Sequence, residues 1–262
     1  MVKIAVLRRP GATLSYLDLP GAGRAIVLVH GAGVDRGMYA PQVEALGAAR
    51  HRVIAVDLRG HGDSTLDDGI RVTASDLLDD LVALLEHLDL PNPLLVGHSL
   101  GGNLAQEFVR RHPQLVSGLV AIDCTWNAGP LSPFERLALR FAAPSLALIP
   151  AGRLPRLMAS ASAVTPTAVE ALETAFARMP KARFLDVWRA TTALVAPDPG
   201  YRTPVPLTLI RGERDRTGNI ATAMPAWARA EGITEHVIPN AGHVPSLDAP
   251  EAVSAVLLEA AR

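Results

Sequence analysis

The stretch Leu94-Leu95-Val96-Gly97-His98-Ser99-Leu100-Gly101-Gly102-Asn103 decides how the rest of the sequence is read. Leu94–Val96 is a short, continuous apolar run of the kind that forms a buried strand. Leu100–Arg111 follows a helical pattern and stops before Pro113. Between them lies Gly97-His98-Ser99-Leu100-Gly101, a Gly-x-Ser-x-Gly pentapeptide, which in a strand–turn–helix setting is a nucleophile elbow. The spacing has a physical reason. A serine on so sharp a turn has a strained backbone. Strand and helix can then close on one another only if the residues two before and two after it are small. Such a turn aims the hydroxyl out of the C-terminal edge of the sheet, where open α/β sheets bind their ligands.

Outward from this point, Ala25–Val29, Arg52–Val56 and Gly118–Ile122 repeat the buried-strand character. Lys3–Leu7 and Thr13–Leu19 flank Pro10-Gly11 and predict an opening antiparallel hairpin. Ala74–Leu88 places Leu77, Leu81, Leu84, Leu85 and Leu88 at helical spacing, with Thr73 and Asp76 as a capping-box start. This alternation predicts a doubly wound α/β domain, a mostly parallel sheet with helices on both faces. After Asp123 the rhythm breaks. One helix is predicted from Ser132-Pro133, with Glu135 completing a capping box. A second starts near Thr165-Pro166 and ends by Pro180, and a third runs from Lys181 to Val195. The α/β pattern resumes with strands at Leu207–Ile210 and Glu235–Ile238 and helices at Met224–Glu231 and Pro250–Ala261. Residues 1–124 and 203–262 are therefore read as one core domain, and 125–202 as a helical cap inserted into it.

Composition narrows the function. With 25 basic and 26 acidic side chains the formal net charge is −1, so no field draws in nucleic acid or an anionic membrane. No apolar run is long enough to span a bilayer. The nearest candidate, Leu137–Ile149, is interrupted by Arg140 and Pro144. Cys124 is the only cysteine, and no secretory signal opens the chain, so a reducing, cytoplasmic setting is expected. There is no His-Glu-x-x-His, no paired-cysteine site and no phosphate-binding loop, so neither metal nor cofactor is expected.

A serine nucleophile at neutral pH needs a general base, an orienting acid and donors for an oxyanion. Of the eight histidines, His243 stands in Asn240-Ala241-Gly242-His243, a loop after the last strand and at the same sheet edge. His98 adjoins Ser99 and cannot easily fold back onto its hydroxyl, and His30 reads as a structural hydrogen bonder. Two aspartates compete for the acid. Asp215 follows the strand Leu207–Ile210, and Asp123 ends the strand Gly118–Ile122. The chain order Ser…Asp…His favours Asp215. The backbone N–H of Leu100 is one oxyanion donor, and that of Ala32, in the glycine-rich turn His30-Gly31-Ala32-Gly33, is the second.

These pieces, together with Asp57-Leu58-Arg59-Gly60-His61-Gly62-Asp63-Ser64 and Gly212-Glu213-Arg214-Asp215, resemble the α/β-hydrolase superfamily in its lidded, esterase-like branch. They occur in that family's order and cover the chain except for the insertion. The resemblance implies the α/β-hydrolase fold and a triad of Ser99, His243 and Asp215, acting through an acyl-enzyme. It implies an ester, thioester or lactone as substrate. The same triad also serves cofactor-free haloperoxidase or perhydrolase chemistry and carbon–carbon bond hydrolysis, and some members of the fold are ligand receptors. Epoxide-hydrolase and dehalogenase branches resemble this chain but carry an aspartate where Ser99 stands. The insertion corresponds to the family's variable cap. Trp126, Phe134, Phe141 and Trp188 are its candidate substrate contacts, for a small molecule with an uncharged or apolar acyl group.

Overall fold

The computed structural model describes residues 2–262. In chain order its strands are β1 (Lys3–Arg9), β2 (Ala12–Leu19), β3 (Ala25–Val29), β4 (Arg52–Val56) and the short β5 (Thr65–Leu66). They continue with β6 (Leu94–His98), β7 (Gly118–Ile122), β8 (Leu207–Gly212) and β9 (His236–Ile238). The helices are α1 (Ala40–Ala48), α2 (Ala74–His87), α3 (Leu100–Arg111), α4 (Pro133–Ala147) and α5 (Leu154–Ser162). After them come α6 (Pro166–Ala177), α7 (Lys181–Ala193), α8 (Ile220–Glu231), α9 (Pro245–Asp248) and α10 (Pro250–Ala260).

All nine strands join one sheet of order β1-β2-β4-β3-β6-β7-β8-β9, with β5 on the edge of β2. β1, β2 and β4 pair antiparallel; from β4 through β3 to β9 every pairing is parallel. β6 and β7 are buried along their whole length, as expected of strands covered on both faces. One core face packs Leu77, Leu81 and Leu84 of α2 with Leu104 and Phe108 of α3 against Val27, Val29 and Leu95. The other packs Leu46 of α1 with Val253 and Leu257 of α10 against Ile26, Leu28 and Val96. The strand order turns outward on either side of β3 and β6. The C-terminal ends of β3, β6, β7, β8 and β9 therefore converge on one edge, and the candidate residues gather there.

The predicted central strands and the helix after Ser99 lie where expected, and several details differ. Thr73 caps α2 by accepting the Asp76 N–H, but the Asp76 carboxylate takes the Thr73 hydroxyl and not its backbone N–H. Aspartate is one methylene shorter than the glutamate that closes such a box, so only half of it forms. At α4 the full Ser132–Glu135 box is present. α4 continues through Pro144. Between β7 and β8 there are four helices, not three, because Leu154–Ser162 is also helical. Among the described residues no helix is long and apolar enough to cross a membrane.

Candidate active site

Ser99 sits at the junction of β6 and α3 with φ 51° and ψ −116°, a left-handed conformation that a non-glycine residue holds only under strain. Its N–H is fixed to the carbonyl of Ile122 at 3.0 Å, and its carbonyl accepts from Asn103 at 2.9 Å. Ser99 is the N-cap of α3 but its side chain makes no capping hydrogen bond, so its hydroxyl is not committed to the helix. The neighbours are glycine by necessity. A methyl on Gly97 would collide with the backbone of Gly101, and one on Gly101 with the backbone of Val29. Leu100 opens α3, where an N–H has no intrahelical acceptor. Ala32 lies on the loop after β3 and borders the same cavity as Ser99. His30 holds that loop. Its Nε2 accepts the Leu58 N–H at 2.9 Å and its Nδ1 lies 2.7 Å from the Gly31 carbonyl. Complete burial lowers its proton affinity, so it acts there as a neutral ring.

The parallel register brings the acids and the imidazole together. Ile122 pairs with Ile210, and Gly212 with Ile238, so the loops after β7, β8 and β9 meet. Asp215 Oδ2 lies 2.9 Å from His243 Nδ1, and Asp215 Oδ1 accepts the Thr217 N–H at 2.7 Å. Burial would raise the Asp215 pKa. The adjoining His243 and these hydrogen bonds outweigh it and hold the carboxyl well below the usual carboxylate range. Asp123 lies behind, fully buried, with both oxygens on the Gly212 N–H at 2.9 and 3.1 Å. Burial and the negative charge of Asp215 push its pKa well above the ordinary value. Of the two aspartates weighed from sequence, Asp215 contacts His243 Nδ1 and Asp123 contacts the β8 backbone.

The His243 loop is fastened on three sides. Asp248 accepts from Gly242 N at 2.8 Å, and the same carboxylate accepts from Thr165 N at 2.8 Å and Val164 N at 3.0 Å. Val244 N–H donates to the Ser162 carbonyl at 2.9 Å. The His243 carbonyl accepts from His98 Nε2 at 2.6 Å, and the two rings pack with centroids 4.8 Å apart. Burial, followed by the nearby His243, drives the His98 pKa down to about 3, so the ring is neutral. Neither the His98 bond nor the Asp248 anchor was legible in the sequence, because both depend on loops that meet only in three dimensions.

Two cavities meet at Ser99. One, of about 360 Å³, runs between α3, α4, α7 and the start of α8, past Asn103, Leu139, Thr191 and Ile220. The other, of about 510 Å³, holds Ala32, His98 and His243 and extends past Met158 and Phe176. Both are lined mainly by apolar side chains, and Ser99, Ala142, Trp188 and Thr217 border both. Of the four aromatic candidates, Trp188 therefore lies between the cavities, and Phe134 is on the rim of the smaller one while 78% exposed. Trp126 and Phe141 line neither. Trp126 is buried, stacked on Trp227 with centroids 6.4 Å apart, and Phe141 sits on the exposed face of α4. Hydrophobicity marks a residue for burial without saying against which neighbour.

Asp123, Asp215 and His243 each offer a ligating atom, and the three atoms lie within 4.8 Å of one another. The hydrogen bonds already described occupy Asp215 Oδ2 and His243 Nδ1 with each other and turn both Asp123 oxygens to a backbone N–H. The donor set is thus arranged as an Asp215–His243 pair, with Asp123 turned to the β8 backbone.

A profile described as the alpha/beta hydrolase family matches residues 26–256. The chain belongs to the alpha/beta hydrolase family. Among solved structures, this hydrolase is similar to a thermophilic esterase from Thermogutta terrifontis. The two share 28% identity with a TM-score of 0.79, over 98% of this chain and 97% of that one. An uncharacterized protein of Mycobacterium tuberculosis is 31% identical over 261 residues, covering 88% of this chain and 73% of that protein. The rat protein named bifunctional epoxide hydrolase 2 is 32% identical over 116 residues. That match spans 44% of this chain and only 21% of the rat protein.

Proposed function

We propose that this hydrolase cleaves an ester-like bond, in a carboxylic ester, thioester or lactone, through Ser99, His243 and Asp215. The observation that carries the reading is the strained, uncapped Ser99 in one cavity with His243, whose Nδ1 is held by a buried carboxylate at 2.9 Å. In this mechanism the Ser99 hydroxyl attacks the carbonyl carbon while His243 Nε2 takes its proton. Asp215 stabilises the imidazolium. The N–H groups of Ala32 and Leu100 receive the developing oxyanion. His243 returns the proton to the leaving group, an acyl-enzyme remains, and water attacks it with His243 again as base. Residues 125–202 act as the cap, since α4 and α7 contribute to the walls of both cavities. The apolar walls support a small, uncharged substrate with an apolar acyl group. Ser99, where the epoxide-hydrolase branch carries aspartate, supports acyl transfer over epoxide opening.

The test is a screen of p-nitrophenyl esters and lactones of graded acyl length, with a fluorophosphonate probe alongside. Turnover with labelling of Ser99 is the expected outcome. Labelling at another residue overturns the assignment, and binding without turnover of any ester supports a receptor.

A further inference from the structure

Asp123 occupies a position for which the triad has no use. It directly follows β7 with φ 40°, a left-handed conformation uncommon for a non-glycine residue, and its N–H is tied to the Ile210 carbonyl at 2.9 Å. That strain and that bond hold its carboxyl group between β8 and Asp215, with no exposed surface. Asp215 is 1% exposed. The nearest ligating atoms of the two carboxyl groups lie within 4.8 Å of one another, and two buried carboxylates at that separation strongly disfavour a charge on both. Their partners decide which one is ionised. Asp215 has the Thr217 N–H on one oxygen and the His243 ring on the other. Asp123 has a single backbone N–H shared between two oxygens, too little to hold a buried charge. The other ionisable groups acting on Asp123 and Asp215 do not reverse this. Arg211 on β8 is paired with Glu235 at 2.9 Å, His98 on β6 is neutral, and the Cys124 thiol is held protonated by burial.

We propose that Asp123 is a positioning residue whose carboxyl group carries a proton and donates it in a hydrogen bond to Asp215, extending the chain to Asp123–Asp215–His243. The proposal rests on the triad reading and deepens it. The donated bond joins that of Thr217 in fixing the Asp215 carboxylate against rotation, which keeps Oδ2 on His243 Nδ1. It also drains charge from that carboxylate, which weakens its hold on a protonated imidazole. His243 is then more readily available as the neutral base that accepts the Ser99 proton.

Two substitutions and one spectrum test this. Asp123→Asn keeps a neutral donor toward Asp215 and an acceptor for the Gly212 N–H. It retains kcat within about threefold, with the kcat/KM–pH profile in place. Asp123→Ala leaves Asp215 without that donor. It lowers kcat by roughly tenfold to a hundredfold and moves the acidic limb of the profile to higher pH by about one unit. Equal losses in both variants, or a loss in Asp123→Ala with the acidic limb unmoved, overturn the proposal and leave Asp123 a packing residue. The infrared spectrum of the wild-type protein at neutral pH supplies a readout that needs neither activity nor a folded variant. A protonated-carboxyl carbonyl stretch, shifted by deuteration, is expected, and its absence overturns the proposal. If fluorophosphonate fails to label Ser99 while that band is present, the triad reading fails and the shared proton stands.

Discussion

A serine at a helix N-cap ordinarily turns its hydroxyl onto the N–H groups of the first turn, and that bond is worth about 1 kcal/mol. Ser99, at φ 51°, makes no such bond. The lost capping bond and the strained backbone are costs that the fold carries, and the proposed nucleophilic role gives them a reason. Ser99→Ala is therefore expected to abolish turnover and fluorophosphonate labelling without lowering the melting temperature; retained turnover would refute its role. His243 offers a lone pair at Nε2 only while neutral, so kcat/KM should fall as the solution is acidified, whereas a rate flat between about pH 5 and 9 would contradict a histidine base.

At the scale of elements, the site depends on a loop fastened from outside the sheet. Asp248 in α9 ties the loop bearing His243 to the turn between α5 and α6 through backbone N–H groups of Gly242, Val164 and Thr165. Asp248→Ala strands these donors, each at about 1 kcal/mol or more. The expected outcome is a drop in kcat of roughly tenfold or more and a lower denaturation midpoint; Asp248→Asn should recover part of both. Unchanged kinetics in Asp248→Ala would show that the His243 loop holds its place unaided. On α7, Trp188 borders both cavities, so Trp188→Ala should raise KM more than it lowers kcat and flatten the dependence on acyl length. An unchanged KM across an ester series would place the substrate elsewhere. The elements legible in the sequence were those whose patterns report burial on both faces or on one stripe. β3, β4, β6 and β7 are of the first kind, α2 of the second. α1 was not, since it buries only Gln42, Val43 and Leu46 and carries Gly47 in its last turn. α5 is nine residues opened by Leu154-Pro155, too short for a period to emerge. Ser99, Asp215 and His243 could be placed at one sheet edge from the sequence because each follows a strand. The adjacency of Asp123 to Asp215 was not legible, because it follows from the pairing of Ile122 with Ile210, and register is a property of the folded sheet.

Over the whole molecule, gathering polar loops at one sheet edge under a helical insertion removes several ionisable groups from water at once. His30, His61 and His98 are each no more than 2% exposed. Burial lowers the pKa of all three, that of His98 to about 3. An unfolded chain restores them to about 6.5. The native state thus binds fewer protons than the unfolded one between those limits. Stability contributed by these rings is fully present above about pH 6.5 and is lost as pH falls toward their folded values. Asp215, whose pKa is lowered, acts in the same direction but further down, its contribution disappearing only below about pH 4. Asp123, whose pKa is raised, acts oppositely and adds stability as pH falls toward about 4. Three bases against one acid leave the balance with the histidines, so the urea midpoint should fall steadily from about pH 7 to pH 5. Each buried ring contributes a limiting slope of about 1.4 kcal/mol per pH unit. His61 is the ring to remove. It lines neither cavity at Ser99, and its one hydrogen bond, from Nδ1 to the Arg59 carbonyl at 3.1 Å, is within reach of an asparagine amide. Urea titrations of His61→Asn at the two pH values should show a smaller loss of stability on acidification than wild type, by up to one proton's worth. Parallel losses in the two proteins would mean that His61 already titrates in the folded state, and that the polar layer under the insertion is open to water.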